Sequence, residues 1–503
     1  MGIRPITEAK PYPRLAESHA HGGVLALIRT ASPLYARAAL GFRSVEIEHS
    51  DRLIEAFRAF FERKLRFIIA FRHPYGDEAQ LMAYAILNLL DRESRRSANP
   101  LPRRPHAHFI HGYEVPLWSG PLERWLLPRV GAVPVFHTKF DAASIEEIRA
   151  LMLNGEYPIA LAPEGQVSYT SDGVPRLEAG VARIAQWCAD DIARRKTGER
   201  VAILPVSIYH HWERDAENRL DRLIAELERQ IGLSNPSAAP REARLHAAAG
   251  ALLELAERWY ARFYGYGGAH RQAAEPSGED PLATATGALS PSATASAPLD
   301  RALRLLGVRE AALAAAERGL RLRPEGDEIH RVYRIRQACW DRIYRQDIPD
   351  RSALPPVEAA LADRIAGEAW LASRHMEFVD LSYYLDLDRL GADTLSRRDA
   401  SSARTERQES RAHHHTPNLD ALCETTQNLC DLASRLSGGN ISHRPSIRGK
   451  KASIDVGEAI VLDPADAGMK TPRRAALDKI MADLATTYET SIHEHNLSIR
   501  SAR

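Results

Sequence analysis

Residues 65–80 read LRFIIAFRHPYGDEAQ, a pattern that predicts a strand, a turn and the start of a helix. The first seven residues are almost continuously apolar, which is typical of a strand buried on both faces of a parallel sheet. Pro74 and Gly76 then favour a tight turn. Asp77 and Glu78 suit the first turn of a helix, because acidic side chains stabilise the positive end of the helix dipole.

The rest of the first half repeats this alternation of strand-like and helix-like segments. Further strand candidates are AVPVF (132–136), YPIALAP (157–163) and VAILPVSIY (201–209), and KKASIDVGEAIVL (450–462) adds another near the C-terminus. Segments with helical spacing of apolar residues lie between them. This alternation predicts an α/β fold with a mixed, mostly parallel sheet flanked by helices, interrupted by an all-helical insertion.

Shifts in composition divide the chain into segments. Residues 269–299 and 391–417 consist mostly of small and polar side chains, which bury too little apolar surface to offset the entropy of an ordered chain. We therefore predict a flexible linker in the first and disorder in the second. In chain order, the predicted organisation is an α/β domain at 1–268, the linker at 269–299, a helical insertion at 300–390, the disordered polar segment at 391–417, a further helix of the insertion at 418–445, and a strand and helix at 446–503 that return to the α/β domain.

The bulk composition excludes several classes of protein. The 503 residues carry a formal net charge of +1, so no nucleic-acid partner is predicted. The four cysteines lack the paired spacing of zinc sites, and neither a metal nor an organic cofactor is predicted. No run approaches the roughly 20 apolar residues that span a bilayer, and the N-terminus lacks the apolar core of a signal peptide. A cytoplasmic location is therefore expected, with any membrane contact peripheral.

A histidine at the end of a buried strand stands where open α/β sheets place their ligand sites. His73 occupies this position, and an ordinary histidine pKa of about 6.5 makes it a usable base near neutral pH. A neutral imidazole also needs an acceptor that orients its second nitrogen. Asp77 and Glu78 both lie within reach, and the spacing leaves open which of them serves.

Four short blocks in the first half follow one another in a characteristic order. They are His73 to Glu78, GAVPVFH at 131–137, Pro163–Glu164–Gly165–Gln166, and Ile203–Leu204–Pro205. This ordered set resembles the glycerolipid acyltransferase family, which contains the lysophosphatidic acid acyltransferases. The resemblance covers roughly residues 40–212 and 450–490, where SIDVGEAI is similar to a closing strand of such domains. It implies a glycerolipid acyltransferase-like fold for that part of the chain.

The resemblance also implies roles for the catalytic block. His73 would take the proton from an acceptor hydroxyl, and Glu78 or Asp77 would orient the ring. The family carries Asp where this chain has Glu78, one methylene longer.

A second set of residues would bind the acceptor. Glu164 and Gly165 match the acceptor-binding block, whose Thr is replaced by Gln166. The phosphate-binding Arg of the family aligns with His137. Lys139 is either a replacement point charge or a solvated surface lysine.

The implied reaction moves a fatty acyl group from acyl-CoA or acyl-carrier protein to the hydroxyl of a glycerolipid or lysophospholipid. An enzyme of the 1-acylglycerol-3-phosphate acyltransferase type is the first expectation. The departures from the family pattern also fit a non-catalytic lipid-binding protein on the same fold; they lie at Glu78, Pro134, His137 and Gln166. The His73 pair alone would suit a thioesterase or esterase that activates water.

One segment of the predicted insertion has basic, apolar and aromatic residues at helical spacing. It covers residues 331–345, RVYRIRQACWDRIYR. Such a helix either lies on an anionic membrane surface or packs its apolar face in a protein core with a solvated charged side.

Overall fold

A computed structural model describes residues 6–12, 17–136, 142–233, 239–267, 298–385, 418–437, 445–462 and 473–501. The strands of these ranges are β1 (Lys10–Pro11), β2 (Phe42–Glu48), β3 (Leu65–Phe71), β4 (His108–Gly112), β5 (Val133–Val135), β6 (Ile159–Leu161), β7 (Arg200–His211), β8 (Tyr344–Arg345), β9 (Lys450–Val456) and β10 (Ile460–Leu462). The α-helices are Gly22–Ala38, Ser50–Phe61, Glu78–Tyr84, Asp91–Arg96, Val115–Trp118, Pro121–Arg129, Ala142–Asn154, Gly180–Arg195, Glu217–Gln230, Arg241–Tyr264, Pro298–Leu320, Glu328–Ile343, Pro356–Ser382, Leu419–Leu436 and Arg473–Ser501. A π-helical stretch, Ala85–Leu90, joins two of them.

The chain divides into two compact units. We call residues Arg14–His211 with Arg448–Arg503 the α/β unit, and Met1–Pro13 with Trp212–Ile447 the helical unit. The sheet of the α/β unit has the strand order β2-β9-β7-β3-β6-β4-β5, and β10 pairs with β7. Neighbours are parallel except where β9 and β10 meet β7. The prediction of a mixed, mostly parallel sheet flanked by helices is therefore confirmed.

Both faces of the sheet are covered by helices, and the central strand β3 is apolar at almost every position and buried along its whole length. Successive residues of a strand point to opposite faces. Phe67 and Ile69 pack in one core with Phe57 of the helix Ser50–Phe61. Ile68 and Ala70 face the other core, which the helices Gly180–Arg195 and Arg473–Ser501 cover. The strand at 450–456 lies between β2 and β7, so the C-terminal segment completes the sheet.

The boundary between the units differs from the one that the sequence suggested. Residues 212–268 were placed with the α/β domain at 1–268, but the described part of this stretch belongs to the helical unit. Arg244 pairs with Glu228 between its two long helices, and Arg304 of the helix Pro298–Leu320 pairs with Glu257. The helical pattern of this stretch reveals an apolar stripe but not the partner against which the stripe packs.

The two polar segments of the sequence fall almost entirely outside the described residues. The structure does not describe any residue of the segment 391–417. It also does not describe residues 269–297 of the predicted linker, which covers 269–299. The last two linker positions begin the helix Pro298–Leu320. The helices of the predicted insertion at 300–390 and 418–445 form much of the helical unit, in which Leu419–Leu436 is buried along most of its length.

The basic amphipathic helix of the sequence packs in this unit. In Glu328–Ile343, the side chains of Val332 and Ile335 are buried. The Arg331 guanidinium is buried too and pairs with Glu317. The segment therefore presents its apolar face to a protein core, which was the alternative to a membrane-bound helix. Within the described ranges, no helix has both the length and the apolar composition to cross a membrane.

Candidate active site

The candidate site lies at the edge of the sheet where β3 and β6 end. These strands are parallel neighbours, so the residues that follow them meet at the same edge. His73 comes two residues after β3, and Glu164 comes three residues after β6. The backbone N–H of His73 donates a hydrogen bond to Glu164 Oε2 at 3.0 Å. The first and third sequence blocks are therefore in direct contact.

Glu78 is the carboxylate that contacts the imidazole. The distance from His73 Nδ1 to Glu78 Oε2 is 2.5 Å. The Glu78 side chain is 0% exposed, whereas 21% of the His73 side chain faces solvent. An ionised carboxylate only accepts hydrogen bonds, so the neutral ring carries its proton on Nδ1. Nε2 makes no hydrogen bond within the described part of the chain, which leaves its lone pair to take a proton.

The turn between these two residues is built around the same carboxylate. Glu78 Oε1 accepts a hydrogen bond from the Tyr75 N–H at 2.5 Å, and Oε2 accepts one from the Gly76 N–H at 2.9 Å. Gly76 has φ of +95°, a conformation that side chains with a Cβ rarely adopt. The Pro-Tyr-Gly sequence thus folds the chain back so that Glu78 reaches the ring.

The local charges set the basicity of His73. Burial lowers the pKa of the imidazole, but the charge on Glu78 and its hydrogen bond raise it, with smaller contributions from Glu164 and Asp77. The charges outweigh burial, and the pKa of His73 lies above its ordinary value of 6.5. His73 is therefore a stronger base than an isolated histidine, and it loses its proton only at a higher pH.

Arg72 anchors the loop that faces His73. Its side chain is buried, and its Nε donates to Glu164 Oε1 at 3.1 Å. The same guanidinium donates to the carbonyl oxygens of Thr170, Ser171 and Gly173. A guanidinium presents five N–H donors in a rigid fork. One side chain therefore fixes both the end of β6 and the loop that follows it.

The acceptor block occupies this loop but differs from what the resemblance implies. Glu164 is buried, and its two oxygens hold Arg72 and the His73 backbone rather than facing solvent. Gly165 turns the chain with φ of +71° and donates to the Ala162 carbonyl at 3.1 Å. Gln166 follows and is half-buried. Glu164 therefore holds the site together, while Gly165 and Gln166 lie nearer the surface.

The remaining predicted site residues are placed differently. Asp77 Oδ2 accepts a hydrogen bond from Lys450 Nζ at 2.8 Å, and Glu78 rather than Asp77 is hydrogen-bonded to the His73 ring. The sequence had left open which acid orients the ring, and the geometry selects Glu78. His137 and Lys139 lie outside the described residues.

Sequence reasoning missed Arg72 and Lys450. Arg72 follows directly on the buried run of β3, and a charged residue at such a place signals a buried ion pair. Arg66, inside the same run, has the same signal and pairs with Glu199 at 2.9 Å. Lys450 gave no comparable signal, because a lysine at the start of a predicted strand is usually exposed.

The chain matches no family model, no curated protein and no solved structure. The chemistry of the site is therefore inferred from its side chains. Within the described part of the chain, no serine or cysteine side chain is hydrogen-bonded to the His73 ring. The geometry fits a general base that activates the hydroxyl of a bound molecule.

Proposed function

We propose that the protein is an acyltransferase that moves a fatty acyl group from acyl-CoA or acyl-carrier protein to the hydroxyl of a glycerolipid or lysophospholipid. A likeness of the α/β unit to the glycerolipid acyltransferase fold is part of this proposal. The observation that carries it is the contact between His73 Nδ1 and the buried Glu78, which leaves Nε2 as a base beside solvent. The contact between Glu164 and His73 adds support, because it joins two of the four sequence blocks.

The proposed reaction proceeds by direct transfer. His73 Nε2 takes the proton of the acceptor hydroxyl as its oxygen attacks the thioester carbonyl carbon. The new C–O bond forms, the carbonyl oxygen carries negative charge in the tetrahedral intermediate, and the C–S bond then breaks. The leaving thiolate takes the proton back from the imidazolium. An ester and a free thiol result, and His73 returns to its starting state.

Glu78 contributes in two ways to this step. Its hydrogen bond fixes the tautomer, so that the lone pair of His73 always lies on Nε2. Its negative charge stabilises the imidazolium that forms during the attack. Because Glu78 is buried and held by the N–H groups of Tyr75 and Gly76, it does not need to reorganise as the charge develops.

Lipid substrates favour contact with a membrane, and one surface of the α/β unit supports this part of the proposal. It lies on the helices Gly22–Ala38, Val115–Trp118 and Pro121–Arg129. Backbone hydrogen bonds of 2.8 Å from residues 19 and 21 to residues 128 and 129 hold the beginning of the first helix against the end of the last. The large apolar side chains exposed on these helices are Leu27, Leu34, Tyr35, Trp118, Leu122 and Trp125.

The charges on the same helices suit an anionic lipid surface. Between them these helices carry four arginines and one glutamate: Arg29, Arg37, Arg124, Arg129 and Glu123. The Arg129 guanidinium lies 4.7 Å from the centre of the Trp125 ring. Exposed tryptophan beside arginine is typical of side chains at the level of lipid headgroups. We therefore propose an anionic membrane as the partner of this surface.

The surface is also connected to the turn at residues 74–77, between His73 and Glu78, which we call the catalytic turn. Ser32 lies 3.1 Å from Asn88 Oδ1, and Asn88 Nδ2 donates to the Arg29 carbonyl at 2.8 Å. Asn88 belongs to the helical stretch that starts at Glu78. The pKa of Tyr35 is raised mainly by burial and also by the charges of Glu123 and Asp77. The Tyr35 side chain therefore lies within electrostatic reach of the turn.

The function is tested with purified protein, a labelled acyl donor and a panel of lysolipids. We expect ester formation by the wild type and a loss of about 100- to 10,000-fold in His73→Ala, because the base is gone. The matched control is His330→Ala, which removes a histidine with a similar 2.6 Å contact to Asp327 on an exposed surface. Free fatty acid as the sole product would make the protein a thioesterase. An intact donor under all conditions would leave only lipid binding.

Membrane contact is tested by co-sedimentation with vesicles of anionic or zwitterionic lipid. We expect preferential binding to anionic vesicles and weaker binding by Leu122→Ser/Trp125→Ser. Trp259→Ser is the matched control, because Trp259 is 49% exposed and Trp125 is 44% exposed. Equal binding by the two variants would reject this surface.

A further inference from the structure

A second group of charged side chains lies behind the catalytic turn. Lys450 is the first residue of β9, and it is only 4% exposed. Its Nζ donates to Asp77 Oδ2 at 2.8 Å and lies 4.4 Å from the centre of the Phe42 ring. A buried lysine needs an ionic partner, and Asp77 supplies it.

His210 of β7 completes this group. Its Nδ1 lies 3.3 Å from Lys450 Nζ, and its Nε2 lies 3.5 Å from Asp77 Oδ1. An ammonium group can only donate, so Nδ1 accepts and the neutral ring carries its proton on Nε2, facing the carboxylate. The ring is also stacked on Tyr75, with centroids 3.7 Å apart and an angle of 12° between the planes.

The catalytic turn is therefore held from two sides. Glu78 binds the N–H groups of Tyr75 and Gly76 from within the turn. The Lys450 and His210 group binds the side chains of Tyr75 and Asp77, the residues on either side of Gly76. Small displacements of this turn move the His73 ring relative to the substrate, and misplacement of about 1 Å costs on the order of 100-fold in rate.

We propose that Lys450, with His210, is a positioning residue that clamps the turn carrying His73 and Glu78 through its ion pair with Asp77. This inference rests on the proposed function only in treating His73 as the base. The residue comes from the strand that follows the helical unit in the sequence, so the segment after position 447 contributes directly to the geometry of the site.

The ion pair of Lys450 and Asp77 also affects the pKa of His73 through its two charges. The carboxylates whose charges raise the pKa of His73 are those of Glu78, Glu164 and Asp77. Arg72 balances Glu164, and Lys450 balances Asp77. Tyr35 lies near Asp77 as well but carries no charge near neutral pH. Removal of Lys450 therefore takes away the positive charge that pairs with Asp77 Oδ2 at 2.8 Å.

The opposite signs of these two charges give a readout that a purely structural role would not produce. Asp77→Asn removes a negative charge and leaves Lys450, so the pKa of His73 should fall. Lys450→Met leaves the negative charge of Asp77, so the pKa of His73 should rise. The double variant should return toward the wild-type value.

The test is an NMR titration of the full-length protein with ¹⁵N-labelled histidine, in which His73→Asn identifies the signal. Opposite shifts in the two single variants support the proposal, and equal or absent shifts overturn it. If Lys450→Met does not fold, the comparison of Asp77→Asn with the double variant decides, because the double variant removes both charges of this ion pair together. The pKa of His73 should be higher in the double variant than in Asp77→Asn, because the double variant also lacks Lys450. Equal pKa values in these two variants would overturn the proposal.

Activity gives a second readout. Lys450→Met should lower kcat by about 10- to 100-fold with little change in KM, and Lys450→Arg should recover part of the loss. Lys451→Met is the matched control, because successive residues of a strand point to opposite faces. A wild-type kcat in Lys450→Met overturns the proposal. If the wild type shows no acyl transfer, the proposed function fails, and the titration still decides the role of Lys450.

Discussion

Replacement of Glu78 by glutamine tests the proposed base and its orienting acid together. The two side chains have nearly the same shape, so the change removes the charge while keeping the volume. Glu78 accepts three hydrogen bonds, from His73 Nδ1, the Tyr75 N–H and the Gly76 N–H. A glutamine has one oxygen and one NH₂ group, so at least one of these donors must face another donor. An unsatisfied buried donor costs about 1–3 kcal/mol of folding stability.

The effect on catalysis should be larger than the effect on stability. With the carboxylate gone, burial still lowers the pKa of His73, but its main opposing charge is absent. If the amide presents its NH₂ group to the ring, the proton moves to Nε2 and the base is lost. We expect kcat/KM to fall by about 100- to 10,000-fold, equal to about 2.7–5.5 kcal/mol of transition-state stabilisation.

The assay is the dependence of kcat/KM on pH, between about pH 5 and 9. The wild type should lose activity on the acid side with a midpoint above 6.5, because only neutral His73 accepts a proton. Glu78→Gln should move this midpoint to lower pH. Glu78→Asp, which keeps the charge but shortens the side chain, should lie between the two. A Glu78→Gln rate within about twofold of the wild type at every pH would refute this reasoning.

Three further predictions concern folding. Arg72→Met leaves a buried carboxylate without its partner and should lower the free energy of unfolding by about 3–5 kcal/mol in urea titrations; a loss below about 1 kcal/mol would contradict the anchoring role. Gly76→Ala should cost about 1–3 kcal/mol because of the positive φ, whereas Gly173→Ala, with ordinary φ and open space around it, should cost far less. The raised pKa of His73 stabilises the fold fully below about pH 6.5, and this contribution should be lost as the pH rises through the folded-state pKa. The difference in unfolding free energy between the wild type and Glu78→Gln should therefore shrink between about pH 6 and about pH 8, the range in which histidine titrates. A difference that stays constant over this range would contradict the raised pKa of His73.

Local signals in the sequence were enough to predict the sheet and the place of His73. The seven-residue apolar run of β3 is the length and composition of a strand buried on both faces, and the Pro-Tyr-Gly turn fixes how far the chain travels before the next helix. His73 and Glu78 are five residues apart, so their contact depends mainly on this local geometry. Glu164 was identified through the resemblance of its block, and the structure places it beside His73 because β3 and β6 are parallel neighbours that end at the same edge.

Contacts between distant parts of the chain could not be predicted in the same way. Lys450 and Asp77 are 373 residues apart, and their contact depends on β9 lying between β2 and β7 in the observed register. The same applies to the helices after position 212, whose apolar stripes would fit either unit. For Glu164, the sequence identified the residue, but it did not reveal the buried Arg72 that determines how the carboxylate is used.

The most direct test of the account is the protonation state of His73 in the intact protein. The ¹⁵N shifts of a labelled imidazole distinguish a proton on Nδ1 from a proton on Nε2, and their pH dependence gives the pKa. We predict that neutral His73 carries its proton on Nδ1, against Glu78, and that its pKa lies above 6.5. A proton on Nε2, or a pKa below 6.5, would contradict the role of His73 as the base.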